Sequence, residues 1–325
     1  MINKIFILFI SLFLLACGSS MQNDPTLKPE SVGALDEVLV LMDQVHWDGE
    51  IGDTLRKFYT QEFEVIPQSE PIYNIYHREV KEFRDILIKY RNILVVGDLE
   101  GNSTTSKYII GKLGEENKQA MLAGEKPFYF ELTNIFAQPQ TFRFITGKDK
   151  ASVIETVRKS FNKVKKDIDE QEIKIQKERI FAFGSAAQVT TKVKEKFGFQ
   201  FKAPIDYVIA VDEKDVMWLR QDTKDITNNI LIYQIPYDAQ TMSGENLKTL
   251  PVRLRNEVGK KYVEGPSPTS YLSTELRIPF NQKEIDLSER YALETRGLWK
   301  MQNDFMGGPF LNYTIYDESN DRIIM

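Results

Sequence analysis

The chain has 325 residues, of which 42% are hydrophobic, 11% aromatic and 27% charged, with a formal net charge of −5. It is long enough for two ordinary domains or one large one, and too apolar for a disordered chain. The mild acidity argues against a nucleic-acid partner, and a single cysteine, Cys17, allows no internal disulfide.

The first element is a leader. Lys4 precedes an apolar run over residues 5–16, interrupted only by Ser11, that ends in Leu14-Leu15-Ala16-Cys17. A charged start, a short apolar run and small residues at a cut site describe a secretory signal. The run is too short for a spanning helix, which needs about 20 apolar residues. Leu14-Leu15-Ala16-Cys17 resembles the bacterial lipobox. That resemblance implies cleavage before Cys17, a diacylglycerol on its thiol and, usually, an acylated amine such as a palmitoyl amide. The membrane then becomes a partner through the lipid. Residue 18 is Gly rather than the Asp that retains some lipoproteins at the inner membrane, and no acidic cluster directly follows Cys17. The expected address is the outer membrane, facing the periplasm. Residues 17–34 are polar, carry Pro25 and Pro29, and read as a tether.

Residues 35–147 form an N-terminal α+β part. Apolar strands are predicted over 37–42, 91–96, 128–132 and 141–145, with weak alternation at 72–76. Helices are predicted over 48–59, 80–90 and 115–123. Residues 148–199 form a helical connector. The spacing of Ile154, Val157, Phe161, Val164 and Ile168 predicts one helix over 149–180, whose outer face is rich in Lys and reads as solvated. Ser185 is placed as the N-cap of a second helix that turns Val189, Val193 and Phe197 inward and ends at Gly198. Residues 200–325 form a C-terminal strand-rich part. Its strands are predicted over 205–211, 216–220, 230–235, 271–278, 291–299 and 310–316, with a turn at 212–215 and a helix over 244–258. Consecutive strands favour antiparallel pairing. The expected class is α+β, with two strand-rich parts, mostly antiparallel sheets and a long amphipathic helix joining them.

Chemistry is harder to find. His46 and His77 are far apart in sequence and no Cys/His cluster exists, so no metal is implied. Asp43, Asp48, Glu50 and Asp53 lack the spacing of a calcium loop. Residues 101–106 form a polar loop without the Lys of a phosphate loop. The densest stretch of unusual residues is 294–310. On a strand, Glu294 and Arg296 share one face, and they are expected to pair with Tyr271, Ser273 and Glu275. Glu275, Glu294 and Arg296 are therefore the catalytic candidates. Trp218 and Trp299 are candidates for stacking on a ligand. Gly307 and Gly308, before Pro309, read as a turn that lets a ligand approach the backbone.

Trp47 with Gly49 and Gly52, Ile66-Pro67-Gln68 before Glu70-Pro71, Arg91-Asn92-Ile93, Trp218-Leu219-Arg220, Tyr233 with Pro236-Tyr237, and residues 294–310 together resemble an uncharacterised family of lipoproteins from Bacteroidota. The resemblance covers most of the chain after Cys17 and carries no activity. Such proteins continue past an apolar stretch like 322–325, which implies a shortened copy whose last strand lacks a neighbour. The expected function is a non-enzymatic, lipid-anchored envelope protein that binds an envelope protein or glycan, with no cofactor. The alternative is a cell-wall or glycan hydrolase built on a carboxylate pair, which needs carboxyl groups about 5–9.5 Å apart.

Overall fold

The computed structural model describes residues 28–63, 70–224, 226–240 and 243–325. The predicted leader, Cys17 and most of the tether lie outside the described residues. The tether's last part, predicted to run to residue 34, is already tied down. Glu30 bridges Gln138 and Val32 bridges Tyr90. Contacts divide the chain into two compact units, the first holding β1–β5 and the second β6–β13, with the division inside the long helix between Glu172 and Ile173.

The first unit contains β1 (Glu37–Leu41), α1 (Gln44–Trp47), α2 (Glu50–Tyr59), β2 (Asn74–Arg78), β3 (Asn92–Asp98), α3 (Thr104–Leu113), α4 (Glu115–Leu122), β4 (Tyr129–Thr133), β5 (Thr141–Gly147) and α5 (Lys150–Ile180). The strand order is β2-β1-β3-β5-β4. Every pairing is parallel except that of β4 with β5. The N-terminal sheet is thus the parallel minority in a molecule whose strand pairings are mostly antiparallel. The reason lies in the strands themselves. β1 and β3 are apolar on both faces and β5 is buried on both, which suits a parallel sheet covered on each side by helices. Val38, Val40, Leu94 and Val96 pack with Leu55 of α2 and Val157, Phe161 and Val164 of α5. Leu39, Leu41, Ile93 and Val95 pack with Ile109 and Leu113 of α3.

Two local expectations also change. The polar loop at 101–106 opens α3, whose N-cap Ser103 accepts from the Ser106 backbone N–H. The helix predicted at 80–90 is two short 3-10 turns, Val80–Glu82 and Leu87–Lys89. The long helix is continuous as predicted, with Val153 rather than Ile154 as the fully buried first member of its stripe. A buried polar knot holds it. The Arg91 Nε and the Asn92 side-chain amide both donate to Glu172 Oε1 at 2.6 Å, and Arg143 donates to Asn92 Oδ1 at 3.1 Å.

The second unit contains α6 (Ala187–Phe197), β6 (Val208–Glu213), β7 (Val216–Asp222), β8 (Thr227–Pro236), α7 (Gly244–Tyr262), β9 (Tyr271–Thr274), β10 (Asn281–Asp286), β11 (Tyr291–Gln302), β12 (Gly307–Asp317) and β13 (Arg322–Ile324). Its sheet runs β10-β11-β12-β13-β8-β7-β6, with β9 also paired to β11, and every pairing is antiparallel. The molecule is thus α+β with strand-rich parts. Val189, Val193 and Phe197 of α6 pack on Met217, Leu219, Ile232 and Ile324. Leu250 and Leu254 of α7 pack on Ile323, on the opposite face of β13. Ser185 does not cap α6. The cap is Ala186, and Ser185 bridges Pro204 instead.

Candidate functional site

A cavity of about 850 Å³ opens within the C-terminal sheet. β8 and β12 have ten and eleven residues, but β13 between them has three. β13 reaches only residues 234–236 of β8 and 315–317 of β12. Beyond it the two long strands flank a gap, and both line the cavity, with Thr227–Ile232 on one side and Pro309–Tyr313 on the other.

The two walls of the gap are apolar. On the α6 side stand Phe199, Phe201, Ile230 and Ile315, which belong to the cluster under that helix. On the α7 side stand Trp218, Trp299 and Phe310. Trp218 lies opposite Leu231 and donates its indole N–H to Asn229 Oδ1 at 2.9 Å. Trp299 lies opposite Gly308, and Phe310 opposite Gly297. A Cβ on Gly308 would meet Trp299 Nε1 at 3.0 Å, and one on Gly297 would meet the Phe310 ring at 2.8 Å. Each ring therefore packs tightly against a glycine. Over Phe310, at 3.6 Å from the ring centroid, sits the guanidinium of Arg255 from α7. Arg255 has no ion-pair partner among the described residues, and its Nε is buried without a hydrogen-bond partner. Burial pulls its pKa down to about 10.

Gly307 and Gly308 are not a turn. They open β12 and pair with Lys300 and Trp299, and the chain reverses before them, at residues 303–306. The long antiparallel register of β11 with β12 outweighs the local turn signal of Gly-Gly-Pro. Pro309 fits there because its nitrogen faces the unpaired edge of β12.

The carboxylate candidates lie elsewhere. Neither Glu275 nor Glu294 lines the cavity. The expected pairing of Glu294 with Glu275's strand does not form, because β9 pairs with residues 299–302 of β11. The Glu275 backbone N–H donates to the Leu298 carbonyl. Leu298 is four residues from Glu294, about 13 Å at ~3.3 Å per residue. Arg277 grips Glu275 through two guanidinium nitrogens, Nε at 3.0 Å and Nη2 at 2.6 Å, and through its backbone N–H at 2.9 Å. Those bonds hold the Glu275 carboxyl down to about 2. Burial alone would raise Glu294, but Arg296 at 2.8 Å and Lys283 at 3.1 Å outweigh it and lower its pKa. Arg296 is half exposed and serves as one of these two counter-charges. Both carboxylates are built to stay ionised, whereas a glycosidase acid needs a raised pKa.

Residues 31–181 match a domain of unknown function (DUF8532), and residues 186–325 match a domain of unknown function (DUF4837). The cavity falls wholly within the DUF4837 segment. Neither a curated protein nor a solved structure matches the chain. Among the described residues no group of three or more His, Cys, Asp or Glu converges as metal ligands, and no helix is long and apolar enough to cross a membrane.

Sequence reasoning reached Trp218, Trp299 and the region of Phe310, but missed Arg255, Phe199 and Phe201. The alternation Phe197, Phe199, Phe201 was a usable signal. Arg255, adjacent to the apolar Leu250, Leu254, Val258 stripe of α7, gave none that separates it from a solvated helix residue.

Proposed function

We propose that this chain is a lipid-anchored protein of the bacterial envelope, of the Bacteroidota lipoprotein type. Its C-terminal unit acts as a binding module rather than a catalyst. The observation that carries this reading is the apolar cavity with a desolvated, unpaired Arg255 on its wall, set apart from Glu275 and Glu294, which are neutralised by their own cations. A mostly apolar concavity with one placed polar group is the usual form of a binding site. It suits an apolar segment of an envelope protein better than a glycan, which presents hydroxyls along its whole length. Lipidation at Cys17, outer-membrane attachment and a periplasmic orientation follow from the lipobox and from Gly18.

The binding test uses the full chain in detergent and an anionic apolar dye, anilinonaphthalene sulfonate. Saturable, blue-shifted fluorescence is expected, and Leu311→Glu, at a half-exposed position on the cavity wall, should abolish it. Fluorescence indifferent to that substitution would remove the cavity from the reading. The anchor is tested separately. Cys17→Ser should leave an unprocessed or soluble chain, and normal processing with membrane retention in that variant would exclude lipidation.

A further inference from the structure

A second cavity lies at the open edge of the N-terminal sheet. β4 is the last strand of that sheet and pairs with β5 alone. The Phe128 carbonyl accepts from the Thr146 N–H at 2.8 Å, and the Asn134 N–H donates to the Gln140 carbonyl at 2.8 Å. Backbone groups alternate along an antiparallel strand. Phe130 and Leu132 therefore bond to β5, while Tyr129, Glu131 and Thr133 turn their N–H and C=O outward. No described residue bonds to these outward groups. The strand has neither the proline nor the bulge that blocks many sheet edges. Beside it lies a cavity of about 300 Å³, whose apolar lining comes from Leu113 of α3, Met121 of α4, and Phe130 and Leu132 of β4. Tyr129 lines it too, although its ring packs on the α5 side under Lys163, 5.0 Å from the ring centroid. The cavity thus borders the backbone of the open edge. Its rim is cationic. Lys126 donates to Asn117 Oδ1 at 2.6 Å, and Asn117 is fixed by donating its own amide to the Leu113 carbonyl at 2.8 Å. The Lys112 ammonium stands 5.6 and 5.8 Å from the ring centroids of Tyr108 and Phe136. No acidic residue lines the cavity, and neither lysine has an ion-pair partner among the described residues. Glu115, at the start of α4, pairs with Lys118 instead.

We propose that the N-terminal unit binds an extended, acidic segment of a partner polypeptide along the outer edge of β4. The segment adds its backbone to the edge, seats one aromatic side chain in the cavity and sets acidic side chains on Lys112 and Lys126. This site goes beyond the C-terminal cavity and stands without it. Each part answers an observation. The outward amides and carbonyls of Tyr129, Glu131 and Thr133 are complementary to the backbone of another strand. At ~30 Å³ for each water-sized group, the cavity holds about ten non-hydrogen atoms, which is room for one aromatic side chain. Two cations with no acid beside them select an anionic partner, and a carboxylate gives each a charge-assisted hydrogen bond. Side chains two residues apart share a face of a strand. The acids therefore stand two residues to either side of the aromatic one.

The probe is the peptide Thr-Asp-Thr-Phe-Thr-Asp-Thr, capped at both ends and fluorescein-labelled through a glycine linker. It is titrated by anisotropy against the full chain in detergent. Saturable binding is expected. N-methylation of one alternate set of its amides should weaken binding about tenfold or more, and the other set much less, because only one set faces β4. The double variant Lys112→Glu, Lys126→Glu should weaken it by about tenfold while keeping the wild-type urea midpoint. A peptide with Lys in place of both Asp should restore binding to that variant. Hydrogen exchange should show new protection at Tyr129, Glu131 and Thr133. Binding indifferent to both methylated sets would mean that the cavity takes the aromatic acid without a strand, and would overturn the proposal. So would the absence of binding, or a double variant that the charge-reversed peptide does not rescue. Two further results would overturn supply by a partner. One is a concentration-dependent homodimer that excludes the peptide. The other is peptide binding that emerges only when residues 18–27 are deleted, which would assign the edge to the chain's own segment.

Discussion

Phe161 illustrates how much one side chain can carry. It is nearly fully buried, with its ring edge-on to Tyr59 at 5.1 Å and tilted against Phe58 at 5.3 Å. Phe161→Ala should cost about 3–5 kcal/mol in a chemical melt, the range for a buried aromatic truncated in a packed core. A loss below about 1 kcal/mol would show that α5 does not pack through this stripe. Glu275 makes a different kind of prediction. Its carboxyl is held down to about 2 by Arg277, so its contribution to stability is present above the ordinary value of 4.5 and drains as pH falls toward 2. Between about pH 5 and about pH 3 the wild type should lose more stability than Glu275→Gln, read as the shift in urea midpoint. Identical losses would mean that the Arg277 contact is not kept in solution.

Among the elements, α5 is fastened to the strands of its own unit by charge as well as by packing. Glu172 accepts from Arg91 and Asn92, and all three are buried. Removing one member of a buried pair strands the other, at a cost of about 3–5 kcal/mol. Glu172→Ala should therefore destabilise far more than Glu170→Ala, which sits in an exposed pair with Lys166. Comparable midpoints for the two variants in guanidinium would contradict this. Element boundaries followed the strength of the local signal. The 31-residue helix was legible because its stripe repeats over many turns. α3 was not, because its first turn, Thr104-Thr105-Ser106, is polar and becomes helical through the Ser103 cap and the burial of Ile109.

At the scale of the molecule, the Lys-rich face of α5 raises the question of a membrane surface. The structure places much of that charge in pairs four residues apart: Lys159 with Glu155, Lys163 with Asp167, and Lys165 with Asp169. With a net charge of −5, the chain has little electrostatic hold on an anionic bilayer. As Cys17→Ser, it should not co-sediment with vesicles of phosphatidylglycerol and phosphatidylcholine at physiological salt. Co-sedimentation that falls as salt rises would assign the α5 face a membrane role.

The α+β class, the long helix and most strands of the C-terminal sheet were legible from residue order alone, because periodicity in a side-chain pattern is a local property. Residue order also marked Trp218, Trp299 and residues 294–310 as unusual. Strand pairing is set by long-range contacts, which is why the parallel order β2-β1-β3-β5 and the slide of β9 to the far end of β11 were out of reach. The same holds for the cavity. A gap between β8 and β12 exists only once β13 has been placed between them, and Arg255 becomes an unpaired cation only when α7 sets it over Phe310. Charge pairing and the lining of a cavity depend on which distant residues arrive at one place, and no window of sequence contains that information.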